Sequence, residues 1–146
     1  MVKFKYRKEQ STTDDVIWRP VADVEFQTRS GGWIDCHPYI DSGADMTLIS
    51  LSFGKLLGLE IRKEEIKELY GLGKQGVPVI FQRAKMKINK YVFDTLIAWV
   101  LIEEVPLLLG RCDIFDRFYI TFKQDRKTIE FVWKKTDKHF SKLPRS

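Results

Sequence analysis

Two strand-length runs, Val77 to Ile88 and Tyr91 to Ile102, are joined by a turn at Asn89-Lys90, and they limit the fold more than any other stretch. The second run is nearly continuous in apolar character, as a deeply buried strand should be. Much of the remaining chain reads in the same way. Val16-Ile17-Trp18 is β-prone, and from Val21 to Gln27 apolar Val24 and Phe26 alternate with Glu25 and Gln27, the pattern of a half-buried strand. Ser30-Gly31-Gly32 is a turn signal, and Trp33 to Ile40 reads as the returning strand. Pro38 has no amide donor, so this strand is expected to be irregular there. The hairpin delivers Asp41 at its end.

Beyond Asp41, Thr47-Leu48-Ile49 is short and β-prone. Ser50 or Ser52 can cap a brief helix across Phe53, Leu56 and Leu57 that stops near Gly58. The charge density from Glu60 to Tyr70 suits either a helix or an extended arm. Gly71-Leu72-Gly73-Lys74-Gln75-Gly76 has the glycines of a hairpin tip. After Pro106 and Leu107-Leu108-Leu109-Gly110-Arg111, a short helix is expected from Asp113 to about Phe118. Phe118 to Phe122 and Thr128 to Trp133 then read as a last hairpin around Gln124-Asp125-Arg126. The expected fold class is therefore all-β with one or two short helices.

With 146 residues the chain fits one domain, and 44% hydrophobic with 13% aromatic residues supply a core. The expected division is a basic N-terminal arm over 1–15, a folded domain over 16–133 and a basic, mobile tail over 134–146. The net charge of +5 is spread along the chain, richest at Lys3, Lys5, Arg7 and Lys8 and again at Lys134, Lys135, Lys138, Lys142 and Arg145. Solvated termini explain this better than nucleic-acid binding, because no binding module accompanies the charge. Cys36 and Cys112 form neither a metal spacing nor a disulfide framework, and neighbouring Cys36 and His37 would point to opposite faces of a strand. No apolar stretch is long enough to span a bilayer and the start lacks a signal-peptide core, so a cytoplasmic location without membrane partners is the expectation.

The chemistry centres on Asp41-Ser42-Gly43-Ala44-Asp45. An aspartate leaving a buried strand on a tight turn should be partly desolvated, which raises a carboxyl pKa unless something compensates. An Asp-Ser-Gly turn by itself is common in loops. The longer context is more telling. Ile40-Asp41-Ser42-Gly43-Ala44-Asp45, followed by Thr47-Leu48-Ile49, resembles the active-site motif of the retropepsin-like aspartic proteases. Leu107-Leu108-Leu109-Gly110-Arg111 resembles that family's second hallmark, an apolar triplet ending in Gly-Arg, and the turn from Gly71 to Gly76 lies where the family carries its flap.

The resemblance implies a closed, barrel-like acid-protease fold forming half of a symmetric dimer. It makes Asp41 the catalytic aspartate and assigns Ser42, Gly43 and Ala44 to support of its loop, the Ser42 hydroxyl bonding across the dimer axis. Asp45 would touch the substrate main chain and pair with Arg111. Gly71, Leu72 and Gly73 would lie in the flap over bound peptide, and Leu107 to Leu109, ending at Gly110, would thread behind the loop. Serine stands at position 42 where threonine is commoner, and Lys74 and Gln75 replace small flap residues. Arg111 has another pairing open to it, with Asp113 or Asp116 on the short helix.

Such proteases use two carboxylates sharing one proton and need no metal or organic cofactor. Only Asp41 among the aspartates is followed by Ser-Gly or Thr-Gly, so the second carboxylate must come from a second chain. A homodimer acting on peptide or protein substrates is the expectation. Lys3 to Tyr6 and Ile129 to Trp133 could interleave between subunits or stand as plain edge strands. An inert peptide-binding module of the same fold is the alternative.

Overall fold

The structure is a computed structural model and describes residues 1–13, 15–70 and 76–135. The N-terminal strands are β1 (Val2–Lys5), β2 (Arg7–Gln10), β3 (Val16–Arg19), β4 (Val24–Gln27), β5 (Trp33–Cys36) and β6 (Tyr39–Ile40). β7 (Thr47–Ile49) leads into helix α1 (Leu51–Leu56), and a 3-10 turn at Lys63–Glu65 precedes β8 (Lys67–Leu69). The long β9 (Val77–Ile88) and β10 (Tyr91–Val100) follow, then β11 (Leu108–Leu109), α2 (Ile114–Arg117), β12 (Phe118–Lys123) and β13 (Thr128–Trp133). The chain is mainly β, as its alternating pattern predicts.

β9 organises the main sheet. Along one edge it pairs with all of β10, from Ile88 opposite Tyr91 to Val79 opposite Val100. Its other edge is shared, β8 taking the N-terminal end and β4 the C-terminal end. The eight strands run in the order β5-β4-β9-β10-β7-β11-β6, with β8 off that path, as a curled half-barrel sheet. Asn89, with φ of 55°, makes the tight turn between β9 and β10.

Burial along β10 refines the expectation of a wholly buried strand. Val92 and Asp94 are exposed, whereas Ile97, Ala98, Trp99 and Val100 are buried on both faces. The cause is two separate apolar clusters. Ile97 and Trp99 face the main core, while Ala98 and Val100 face a smaller cluster with Leu48 and Val79. Trp99 also explains Gly54 within α1, since a Cβ there would lie 2.0 Å from the indole nitrogen. Ser50 caps α1 by accepting from the Phe53 amide, and Gly58 ends the turn at positive φ.

A second sheet, β1-β13-β12, closes the core from the side. Phe118 and Phe131 meet edge to face at 5.4 Å, and Trp133 stacks on Tyr91 at 4.7 Å, which fastens this sheet to the β9–β10 hairpin. β1 pairs with β13 of its own chain, Val2 and Phe4 turned inward and Lys3 and Lys5 outward. β2 and β3 form a two-stranded sheet that the sequence pattern did not reveal. The expected strand from Trp33 to Ile40 is interrupted at Pro38, where β5 ends and β6 begins.

Cys36 lies in the core at 5% exposure, and burial, aided by the Asp35 carboxylate, pushes its thiol up to about 12. The folded chain therefore keeps a proton that the unfolded chain releases first. This group's contribution to stability is complete below the ordinary thiol pKa and is lost as the pH rises toward about 12. Urea titrations at rising alkaline pH should show a steeper loss of stability for wild type than for Cys36→Ala. Parallel slopes would contradict this.

Candidate active site

Two strands flank the loop from Asp41 to Met46, and a third lies between them. β6 runs parallel to β11, and β11 runs antiparallel to β7, so Leu108 pairs with Tyr39 on one side and Leu48 on the other. Leu107 to Leu109 are thus held directly behind the loop. The Asp41 amide donates to the Leu109 carbonyl at 3.0 Å, and the Arg111 and Cys112 amides donate to the Ala44 and Asp45 carbonyls, each at 2.9 Å. Both ends of the loop are tied to one segment.

Gly110 sits at the closest approach. A Cβ on it would lie 2.3 Å from the Met46 carbonyl oxygen and 2.7 Å from the Met46 nitrogen. The Gly110 amide donates to the hydroxyl of buried Thr47 at 3.2 Å. Thr47→Val keeps the shape and leaves that donor without a partner, which should cost about 2 kcal/mol in urea denaturation. An unchanged unfolding midpoint would show that this bond is dispensable.

Asp41 itself is exposed, and so are Ser42, Gly43 and Asp45. This differs from the partial desolvation expected from sequence, because within one chain nothing among the described residues covers the outer face of the loop. The carboxylate is nevertheless oriented. Its Oδ1 accepts from the Gly43 amide at 2.9 Å, and its carbonyl accepts from the Ala44 amide at 3.2 Å. Gly43 lies close under the carboxylate, where a Cβ would stand 3.2 Å from Oδ1.

Arg111 reaches back across the loop. One guanidinium nitrogen donates to the Ser42 carbonyl at 2.7 Å and the other to the Asp45 carboxylate. The alternative partners are engaged elsewhere. Asp113, only 1% exposed, accepts from the Leu96 amide at 2.8 Å and from Arg117 at 3.0 Å, while Asp116 accepts from the Asp113 amide at 2.9 Å. Asp113 is a structural link between β10 and α2 that sequence reading missed; the short helix expected from Asp113 gave no sign of its burial. Gly71, Leu72 and Gly73, read as flap residues, lie outside the described residues.

Next to the loop lies the smaller apolar cluster, in which Met46, Leu69, Val77, Val105 and Leu108 pack partly buried around Leu48. An exposed carboxylate on a braced loop, bordered by apolar side chains, can accept or donate a proton at its outer face. Among the described residues no group of three or more His, Cys, Asp or Glu side chains could hold a metal ion. Nor is any helix among them long and apolar enough to cross a membrane.

No protein-family model and no curated protein sequence matches the chain. Solved structures do. A retropepsin-like aspartic protease from Rickettsia conorii superposes with a TM-score of 0.58 at 11% identity, over 88% of this chain and 98% of that one. The EIAV protease, solved with the inhibitor HBY-793, gives a TM-score of 0.45 at 19% identity, over 64% of this chain and 82% of its own. The threading of β11 between the strands that flank Asp41, and the superposition over most of the Rickettsia protease, establish that this chain has the retropepsin-like fold.

Proposed function

We propose that the protein is an aspartic endopeptidase whose active site forms between two copies of the chain, each contributing Asp41. The observation that carries this reading is the Asp41 loop. Its carboxylate is exposed and oriented, both ends of the loop are bonded to the segment from Leu109 to Cys112, and Arg111 bridges Ser42 and Asp45. A loop held this firmly around one exposed acid suits a preorganised catalytic group better than a simple surface turn.

The reaction follows from two carboxylates placed a few ångströms apart. They do not both ionise readily, so one holds a proton while the other accepts one from an intervening water. The water attacks the peptide carbonyl carbon, the protonated carboxyl donates to the carbonyl oxygen, and the leaving nitrogen is protonated as the C–N bond breaks. Ser42 would bond across the twofold axis, and Asp45, held by Arg111, would meet the substrate main chain. Gly71 to Gly73 are assigned to a flap over an extended peptide held by main-chain bonds.

A diverse peptide mixture, digested across pH with and without an aspartic-protease inhibitor, tests the proposal. Inhibitor-sensitive cleavage whose rate per chain falls on dilution is expected, because dilution separates the two Asp41 residues. Peptide binding without cleavage at any pH would instead support an inert module of the same fold. Retention on nucleic acid would be salt-sensitive and unaffected by the inhibitor.

A further inference from the structure

β6 has only two residues, yet it delivers Asp41, and β11 borders it on one side only. Its other side is bordered by residues from near the N-terminus. The Ile40 amide donates to the Pro20 carbonyl at 3.0 Å, the Ala22 amide donates to the Pro38 carbonyl at 3.1 Å, and Val21 bridges Tyr39. Without Pro20 to Ala22, β6 would be the free edge of the sheet at the point where the carboxylate is carried.

Pro20 lies between β3 and the buried residues Val21 and Ala22, so the small β2–β3 sheet holds it from one side. That sheet has no strand pairing with either of the others. An isolated two-stranded hairpin is marginal in water and needs an anchor. The anchor is Tyr39 itself. Its hydroxyl donates to Glu9 on β2, at 2.7 Å from one carboxylate oxygen and 2.9 Å from the other. Arg19 on β3 lies over the same ring at 5.5 Å from its centre. Both strands of the hairpin therefore grip one side chain, two residues before Asp41.

From this arrangement we infer that β2, β3 and Pro20 to Ala22 form a clasp on the active-site strand, locked by Glu9 and Tyr39, which act as positioning residues for Asp41. The carboxylate makes the bond charge-assisted and stronger than one between neutral groups. Losing it frees the hairpin, releases Pro20 from the Ile40 amide and lets β6 fray as an edge strand does. The inference rests on Asp41 being catalytic only for its kinetic consequence; the structural consequence stands apart.

Amide hydrogen exchange and peptide hydrolysis, measured together on the intact dimer, test the clasp. In Glu9→Ala and Tyr39→Phe, the Ile40 and Ala22 amides should exchange about tenfold faster, the scale of one charge-assisted bond, with the β9–β10 amides unchanged. The same variants should lower kcat by a similar factor and leave KM unchanged. Glu9→Gln keeps an acceptor for the Tyr39 hydroxyl and should restore most of both. Exchange at wild-type rates in Ile40 and Ala22, or an equal rise throughout β9 and β10, overturns the clasp. If wild type cleaves no peptide, the endopeptidase reading fails, while the exchange comparison still decides the clasp.

Discussion

Asp41→Asn is expected to reduce peptide hydrolysis by at least about 10⁴-fold, the upper range for removing a general acid or base, while leaving folding and dimerisation intact. Two features make the effect large and the interpretation clean. In a homodimer a single substitution removes both carboxylates at once, so neither the base nor the acid remains. Asparagine is nearly isosteric, and its side-chain oxygen can still accept the Gly43 amide bond that now goes to Asp41. Thermal unfolding and sedimentation should therefore match wild type. Adding the Asn variant in excess to wild type should also suppress activity as subunits exchange, since a mixed dimer holds one carboxylate. Full activity in purified Asp41→Asn would mean that water is activated elsewhere, and the proposed mechanism would be lost.

Most of the fold was legible because local patterns and tertiary burial agree. Asn89-Lys90, Pro38, Ser50 and Gly58 each carry backbone chemistry strong enough to mark a turn, a break, a cap and a stop, and the strands and helix lie between them. The segment from Glu60 to Tyr70 was ambiguous for a physical reason. Its charged residues are exposed, so no apolar period selects helix or strand, and it forms a 3-10 turn and the short β8 on the edge of β9. β2 was hidden in the same way. Arg7, Lys8, Glu9 and Gln10 have no apolar alternation, and the side-chain partner of Glu9 is the hydroxyl of Tyr39, distant in sequence.

The site divides along similar lines. Asp41 and the Leu107-to-Arg111 segment were readable as two short strings, but only the chain path shows why they belong together. Arg111 had two acidic neighbours on α2 and one distant partner in Asp45. The residues alone left the two readings even and the family motif favoured Asp45; Asp113 is buried and engaged by Arg117 and the Leu96 amide, and the guanidinium turns back to the loop. The exposure of Asp41 was not legible, because it depends on which distant segments pack over the loop, and none of the described residues does.

Gly110→Ala should be among the most damaging conservative substitutions at the described residues, costing about 3 kcal/mol or more of folding stability, at or beyond the upper end for overpacking. The added carbon would meet the Met46 carbonyl oxygen at 2.3 Å and its carbonyl carbon at 2.4 Å. These are backbone atoms next to Thr47, Leu48 and Ile49, all buried, so no side chain can swing away. Either β11 or the loop must move, and the bonds from Asp41 to Leu109 and from Arg111 to Ala44 weaken with it. Gly43→Ala makes the informative comparison. Its Cβ would meet only Asp41 Oδ1, at 3.2 Å, and that atom can rotate away; Gly43 also lies outside the positive-φ region. Chemical denaturation should leave Gly43→Ala within about 1 kcal/mol of wild type, the ordinary scale of a tolerated Gly-to-Ala change. Its hydrolytic rate should nevertheless fall, because the displaced oxygen belongs to the carboxylate proposed to be catalytic. If both variants lose stability equally, Gly110 is not the tight crossing of the fold; if both keep it, the strand behind Asp41 is looser than its contacts require.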